Sequence, residues 1–89
     1  MIKIIKATYV EGYTIALEFS DGKYAVYDFS SLVAKKGSLV QPLRDKAYFK
    51  AFFLEMGAMC WKNGLELSPH ALYENAKEQG LLSEANFVA

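Results

Sequence analysis

Residues 13–29 read YTIALEFSDGKYAVYDF, two segments of alternating apolar and polar residues on either side of Asp21-Gly22. An Asp-Gly pair suits a two-residue type I′ turn, because both central positions need positive φ and glycine adopts it without Cβ strain. Such a turn pairs Ser20 with Lys23, Phe19 with Tyr24, Leu17 with Val26 and Ile15 with Asp28. One face of the hairpin is then Ile15, Leu17, Phe19, Tyr24 and Val26. The other carries Thr14, Ala16, Glu18, Ser20, Lys23, Ala25 and Tyr27 and reads as wet or only partly covered. Slipping the whole pattern by one residue would bury Glu18 and Lys23, so the alternation specifies the register.

Working outward, the segment Met1 to Val10 joins this hairpin through a turn whose length sets the pairing. A two-residue turn at Glu11-Gly12 would put Thr8 and Lys6 opposite Ile15 and Leu17. A three-residue loop, Val10-Glu11-Gly12, instead pairs Tyr9 with Tyr13, Ala7 with Ile15 and Ile5 with Leu17, which the pattern prefers. The expectation is a three-stranded antiparallel meander with one apolar face.

Beyond it, Asp28 or Ser30 can cap a short helix over 31–36 that Gly37 stops, with Leu32 and Val33 facing inward. Pro42 suits a first helical turn, and the spacing predicts a short helix over 43–49, then strands over 52–56 and 59–62 around a turn at Gly57-Ala58. Asn63-Gly64 is a second type I′ signal, with a short return strand over 65–67. Ser68-Pro69 is a helix start, Ser68 as N-cap and Pro69 at the first helical position. That helix runs to about Gln79 and stops at Gly80, with a narrow stripe of Leu72, Tyr73 and Ala76. The organisation is therefore one α+β domain over residues 1–80: a small antiparallel sheet made of the N-terminal meander and a C-terminal hairpin, with two to three short helices. Residues 81–89 form an apolar tail containing Leu81, Leu82, Phe87 and Val88.

At 89 residues the chain is one small domain, and its 15% aromatic content helps it build a core without staples. Ten basic residues balance ten acidic ones, so no global field draws it to nucleic acid. Lys35, Lys36, Arg44, Lys46 and Lys50 do cluster in the middle third and are the residues an accessory nucleic-acid role would use, although such runs are commonly solvated surface. The single cysteine, Cys60, rules out an internal disulfide framework, and no charged-apolar-small leader opens the chain, so the expected setting is the cytoplasm. No apolar run is long enough to span a bilayer.

The residues that carry chemistry elsewhere have structural explanations here. His70 lies beside Ser68, but a Ser-His pair needs an orienting acid, and Ser68 is accounted for as a cap. Cys60 and His70 are too few for a zinc site, which takes three or four ligands. Asp21, Asp28, Asp45 and Glu66 offer no distinctive pairing, since acids commonly occupy turns and caps. Neither a Gly-rich phosphate loop nor a basic stripe interleaved with exposed aromatics is present. The expectation is a non-enzyme without cofactor or metal.

Phe19-Ser20-Asp21-Gly22, Asp28-Phe29, Leu43-Arg44-Asp45, Phe49 and the run Trp61-Lys62-Asn63-Gly64-Leu65-Glu66-Leu67-Ser68-Pro69-His70-Ala71-Leu72-Tyr73 together resemble the bacterial domain-of-unknown-function family 2442 over about residues 4–73. Each motif alone is weak; their order and spacing are more specific. Glu66 departs from the pattern, where the family more often has Asp. The resemblance implies an α+β fold on a small antiparallel sheet and no established catalytic residues. It also implies arrangements like toxin–antitoxin gene pairs, and in some members an appended helix-turn-helix for which this chain has no room. The expected function is thus a stand-alone protein-interaction domain, the antitoxin-like partner of a small toxin-like protein or a homodimer. Leu81, Leu82, Phe87 and Val88, together with the sheet-edge backbone over 2–8, are the candidate partner-binding elements.

Overall fold

The computed structural model describes residues 1–84. The meander forms as the alternation demands: β1 (Ile4–Glu11), β2 (Thr14–Phe19) and β3 (Lys23–Asp28) pair antiparallel in sequence order. The register across Asp21-Gly22, however, is one residue off the type I′ expectation. Leu17 lies opposite Ala25 and Ile15 opposite Tyr27, so the connection is the three-residue loop Ser20-Asp21-Gly22. Two local bonds explain this. Gly22, at φ +88°, gives its N–H to the Phe19 carbonyl, and Asp21 Oδ1 accepts the N–H of Lys23. Asp21 keeps negative φ, so this is a bulged turn in which glycine alone takes the left-handed position. The shift turns β3 over. Ala25 and Tyr27 are buried, whereas Val26 is exposed and Tyr24 lies on the outer side, the reverse of the expected assignment.

The β1–β2 pairing also differs in register from the expected one but keeps its face. Tyr9 is opposite Ile15 and Ala7 opposite Leu17, two residues from the expected partners, because the connection is Gly12-Tyr13 with an extra residue, Val10, bulged on β1. A second bulge at Ile5 swaps which isoleucine points inward: Ile4 is buried and Ile5 is 58% exposed.

The short α1 (Ser30–Val33) has Phe29 at its N-cap position and no side-chain cap bond, so neither Asp28 nor Ser30 is the cap expected; Asp28 Oδ1, just before the helix, accepts both the N–H and the hydroxyl of Ser30, the helix is shorter than expected, and Val33 is its buried residue. The segment expected as one helix over 43–49 is two pieces. A 3-10 turn over Gln41–Arg44 stops where Asp45 turns extended, and Asp45 then caps α2 (Lys46–Lys50) by accepting the N–H of Ala47. Next come β4 (Phe53–Glu55), β5 (Ala58–Cys60) and β6 (Glu66–Leu67), a second, three-stranded antiparallel sheet. Asn63-Gly64 repeats the arrangement at Asp21-Gly22: the Gly64 N–H goes to the Trp61 carbonyl, and Asn63 Oδ1 accepts the N–H of Leu65. It too is a bulged loop, and not the type I′ turn expected. Ser68 Oγ accepts the Ala71 N–H at the start of α3 (Pro69–Glu78), which buries Leu72 and Ala76.

The core between the two sheets and α3 is aromatic at its centre. Phe49 meets the rings of Tyr13, Trp61, Phe29 and Tyr9 at centroid distances of 5.1, 6.0, 6.1 and 6.3 Å. Trp61 Nε1 donates to the Phe49 carbonyl at 3.0 Å. That carbonyl is in the last turn of α2, where main-chain acceptors have no intrahelical partner, so a core side chain closes the helix. Past α3, Leu81 and Leu82 pack against the core, and β7 (Ser83–Glu84) adds a fourth strand to the first sheet by pairing with Tyr24 and Lys23. Lys23 Nζ and Glu84 meet at 2.7 Å.

Candidate functional site

Two surface features stand apart from the packing just described. The first is the β4–β5 connection. Glu55 pairs with Ala58, which leaves Met56-Gly57 as a two-residue turn with φ of +52° and +86°. Both central residues are left-handed, the signature of a type I′ turn, which favours Asn, Asp or Gly at the first position. Here that position is methionine, 90% exposed. The turn is fastened to the first sheet, since Ile4 donates its N–H to the Gly57 carbonyl at 2.9 Å and the Lys3 side chain lies against Gly57. Ile5, at the β1 bulge, adjoins this junction, and Phe53 on β4 is 43% exposed. Along the rest of its outer edge β1 has no strand partner among the described residues.

The second feature is a groove of about 390 Å³ between the end of β3, α1 and α3. Tyr27, Phe29, Leu32, Leu67 and Leu72 give it apolar walls. Asp28, Ser31, Lys35, Asn75 and Gln79 supply its polar groups. Gln79 Nε2 donates to Asn75 Oδ1 at 2.6 Å, which by the amide inventory leaves an acceptor on Gln79 and a donor on Asn75.

The Ser30 hydroxyl and N–H hold the Asp28 carboxyl below its ordinary range. At Asp21 burial pushes the carboxyl upward, but the Tyr73 hydroxyl at 2.5 Å, the Lys23 N–H and the Lys23 charge outweigh it, so this group is lowered too. A carboxyl lowered on folding stabilises the fold above its unfolded pKa of about 4, and this contribution is lost as pH falls through the lower folded value. Asp28→Asn should therefore be less stable than the parent by a margin that is full above about pH 5 and shrinks toward pH 2. Urea midpoints across that range check it; a margin independent of pH would mean that the charge plays no part.

The expected site residues fall as follows. Arg44 is taken up by the fold, its guanidinium donating to the Val33 and Lys35 carbonyls. Lys46 and Lys50 lie over the rings of Tyr13 and Tyr9, 5.4 and 4.9 Å from their centroids. Lys35 lines the groove, and Lys36 is exposed in the segment after α1. Leu81 and Leu82 are half-buried against the core, and Phe87 and Val88 lie outside the described residues. His70 is exposed in the first turn of α3, where Ser68 serves as the cap. Cys60 is buried, and burial raises its thiol pKa, so little thiolate is present near neutrality. Among the described residues no three His, Cys, Asp or Glu side chains converge as metal ligands, and no helix is long and apolar enough to cross a membrane.

The open β1 edge falls within the edge backbone offered over 2–8, but the turn expected at Gly57-Ala58 lies one residue earlier, at Met56-Gly57, and the groove has no counterpart in the sequence pattern. The methionine at position 56 hid the type I′ turn, which is rare with that residue. The groove is assembled from residues 27–35 and 67–79, whose adjacency no local pattern signals.

A family model described as a protein of unknown function (DUF2442) matches residues 4–78. Comparison with curated proteins and with solved structures finds no match for this chain.

Proposed function

The chain belongs to the DUF2442 family of proteins of unknown function, and from that premise and its Met56 turn we propose that it is a non-catalytic protein-interaction domain. The observation that carries the reading is Met56 itself, 90% exposed at φ +52°. A residue with a Cβ costs about 1–2 kcal/mol in the left-handed region, and burial returns nothing to a side chain this exposed. Folding alone therefore favours Asn or Gly at position 56. Binding favours Met, whose flexible, polarisable side chain fits varied apolar pockets. Local rules broken without structural gain are expected where function imposes its own demand.

The docking surface in this proposal is the Met56 tip with Ile5, extended by the outer edge of β1, which has no strand partner among the described residues and to which a partner adds backbone bonds. Its partner is a small protein of the toxin-like kind implied by the family resemblance, and its setting is the bacterial cytoplasm. The chain is the antitoxin-like member of that pair.

Met56→Asn separates the two demands. It should raise the unfolding free energy by about 0.5–1 kcal/mol through relief of the left-handed strain. It should also weaken capture of the co-expressed product of the adjacent gene at least about tenfold, the loss of a contact worth roughly 1.4 kcal/mol. Unchanged capture by this stabilised variant, or a parent chain that forms no complex with that product, would remove the reading.

A further inference from the structure

The groove between β3, α1 and α3 shares no lining residue with the Met56 turn and owes nothing to the proposal above. Its chemistry is asymmetric in a specific way. A carboxylate, Asp28, and an ammonium, Lys35, line the same groove without neutralising each other, since the one ion pair among the described residues is Lys23–Glu84. Asp28 is fixed in place by Ser30 through Oδ1, which leaves its second oxygen with acceptor capacity. Lys35 has its main-chain carbonyl tied to Arg44, which anchors the residue while its side chain stays exposed. Leu32, Leu67 and Leu72 line the same groove. The volume, about 390 Å³, is near the lower end of the roughly 300–1,000 Å³ usual for ligand sites.

A groove lined by a cation, an anion and several leucines matches a small molecule that carries both opposite charges on an apolar body. A simple carboxylic acid would leave Asp28 unanswered and bring a like charge toward it; a simple amine would do the same to Lys35. We propose that this groove binds a free α-amino acid with an aliphatic side chain, its ammonium facing Asp28, its carboxylate facing Lys35 and its side chain against the leucines. The free amide atoms of Asn75 and Gln79 add hydrogen bonds to the same backbone end of the ligand.

Both charges are exposed, so each contributes modestly, and the binding expected is weak, with a Kd on the order of a millimolar. The test uses L-leucine, with glycine, isoamylamine and 4-methylpentanoate as probes that remove the side chain, the carboxylate and the ammonium in turn. Each is titrated to about 20 mM, well above a millimolar Kd, into the full ¹⁵N-labelled chain while backbone amide shifts are followed. Leucine should move the amides of Leu32, Leu67 and Leu72 and saturate, with the three truncated probes at least about tenfold weaker. Lys35→Gln, a change at an exposed side chain, should bring leucine down to the level of isoamylamine. The proposal is overturned by an absence of leucine-dependent shifts, by equal shifts from all four probes, or by full leucine binding in Lys35→Gln. Loss of partner capture on Met56→Asn has no bearing on any of these outcomes.

Discussion

Phe49→Ala should lower the unfolding free energy by about 3–5 kcal/mol, the usual cost of emptying a buried phenylalanine site. A chain of 89 residues has on the order of 4–13 kcal/mol in total, so the variant stands near the edge of folding at 25 °C. The loss should lie high in its range because of what the ring touches. Phe49 is fully buried and meets four other aromatic rings, those of Tyr9, Tyr13, Phe29 and Trp61. Edge-on and tilted pairs of this kind add roughly 0.5–1.5 kcal/mol each beyond area burial. Those rings come from β1, the β1–β2 turn, the β3–α1 junction and the strand-to-loop exit at Trp61, so no single element can close over the void. Relaxation of the backbone at position 49 would also disturb the Trp61 Nε1 bond to the Phe49 carbonyl. Urea unfolding followed by Trp61 fluorescence measures the change; a loss under about 1 kcal/mol would show that the cluster collapses freely and is not the centre of the core.

That cluster illustrates what the sequence could and could not yield. The three N-terminal strands, the Ser68-Pro69 helix start and the stop at Gly80 are local signals, and each appears in the structure where the residues place it, although the buried face of β3 does not. Asp21-Gly22 and Asn63-Gly64 mark turns correctly but do not choose among turn types. Asp and Asn suit the left-handed position of a type I′ turn, yet their side chains equally well accept an N–H two residues on, which is what Asp21 and Asn63 both do. That choice lengthens the loop by one residue and exchanges Val26 for Tyr27 on the buried face of β3. Val26 and Tyr27 are both good strand residues, so local preference could not decide between them; the packing of Tyr27 into the core cluster is a tertiary gain. The groove was illegible for a related reason. Its polar pair, Asp28 and Lys35, reads as a cap and a solvated lysine until α3 brings Leu72 and Gln79 alongside.

Gly57→Ala should cost about 2–4 kcal/mol, and it does so through two penalties that can be measured apart. The first is conformational: φ of +86° is open to glycine, and an alanine there costs about 1–2 kcal/mol. The second is steric. A Cβ on residue 57 would fall 2.6 Å from Lys3 Cβ and 2.7 Å from Lys3 Cγ, well inside the roughly 3.5–4.0 Å at which carbons attract. Lys3 Cβ cannot swing away like the end of a side chain, so relief requires the main chain at Lys3 and Ile4 to move. That main chain holds three bonds: the Lys3 N–H to Ser20 Oγ at 3.0 Å, the Ser20 N–H to the Lys3 carbonyl at 2.8 Å, and the Ile4 N–H to the Gly57 carbonyl at 2.9 Å. Each contributes about 0.5–1.5 kcal/mol net. Gly22→Ala provides the control, since Gly22 has nearly the same φ, +88°, with open space where its Cβ would go. It should show the conformational part alone, about 1–2 kcal/mol. The excess for Gly57→Ala over Gly22→Ala in urea unfolding is then the strength of the junction between the two sheets. Equal losses at the two positions would mean that the Met56-Gly57 turn is not seated on β1, and would separate that turn from the edge strand with which it forms the proposed docking surface.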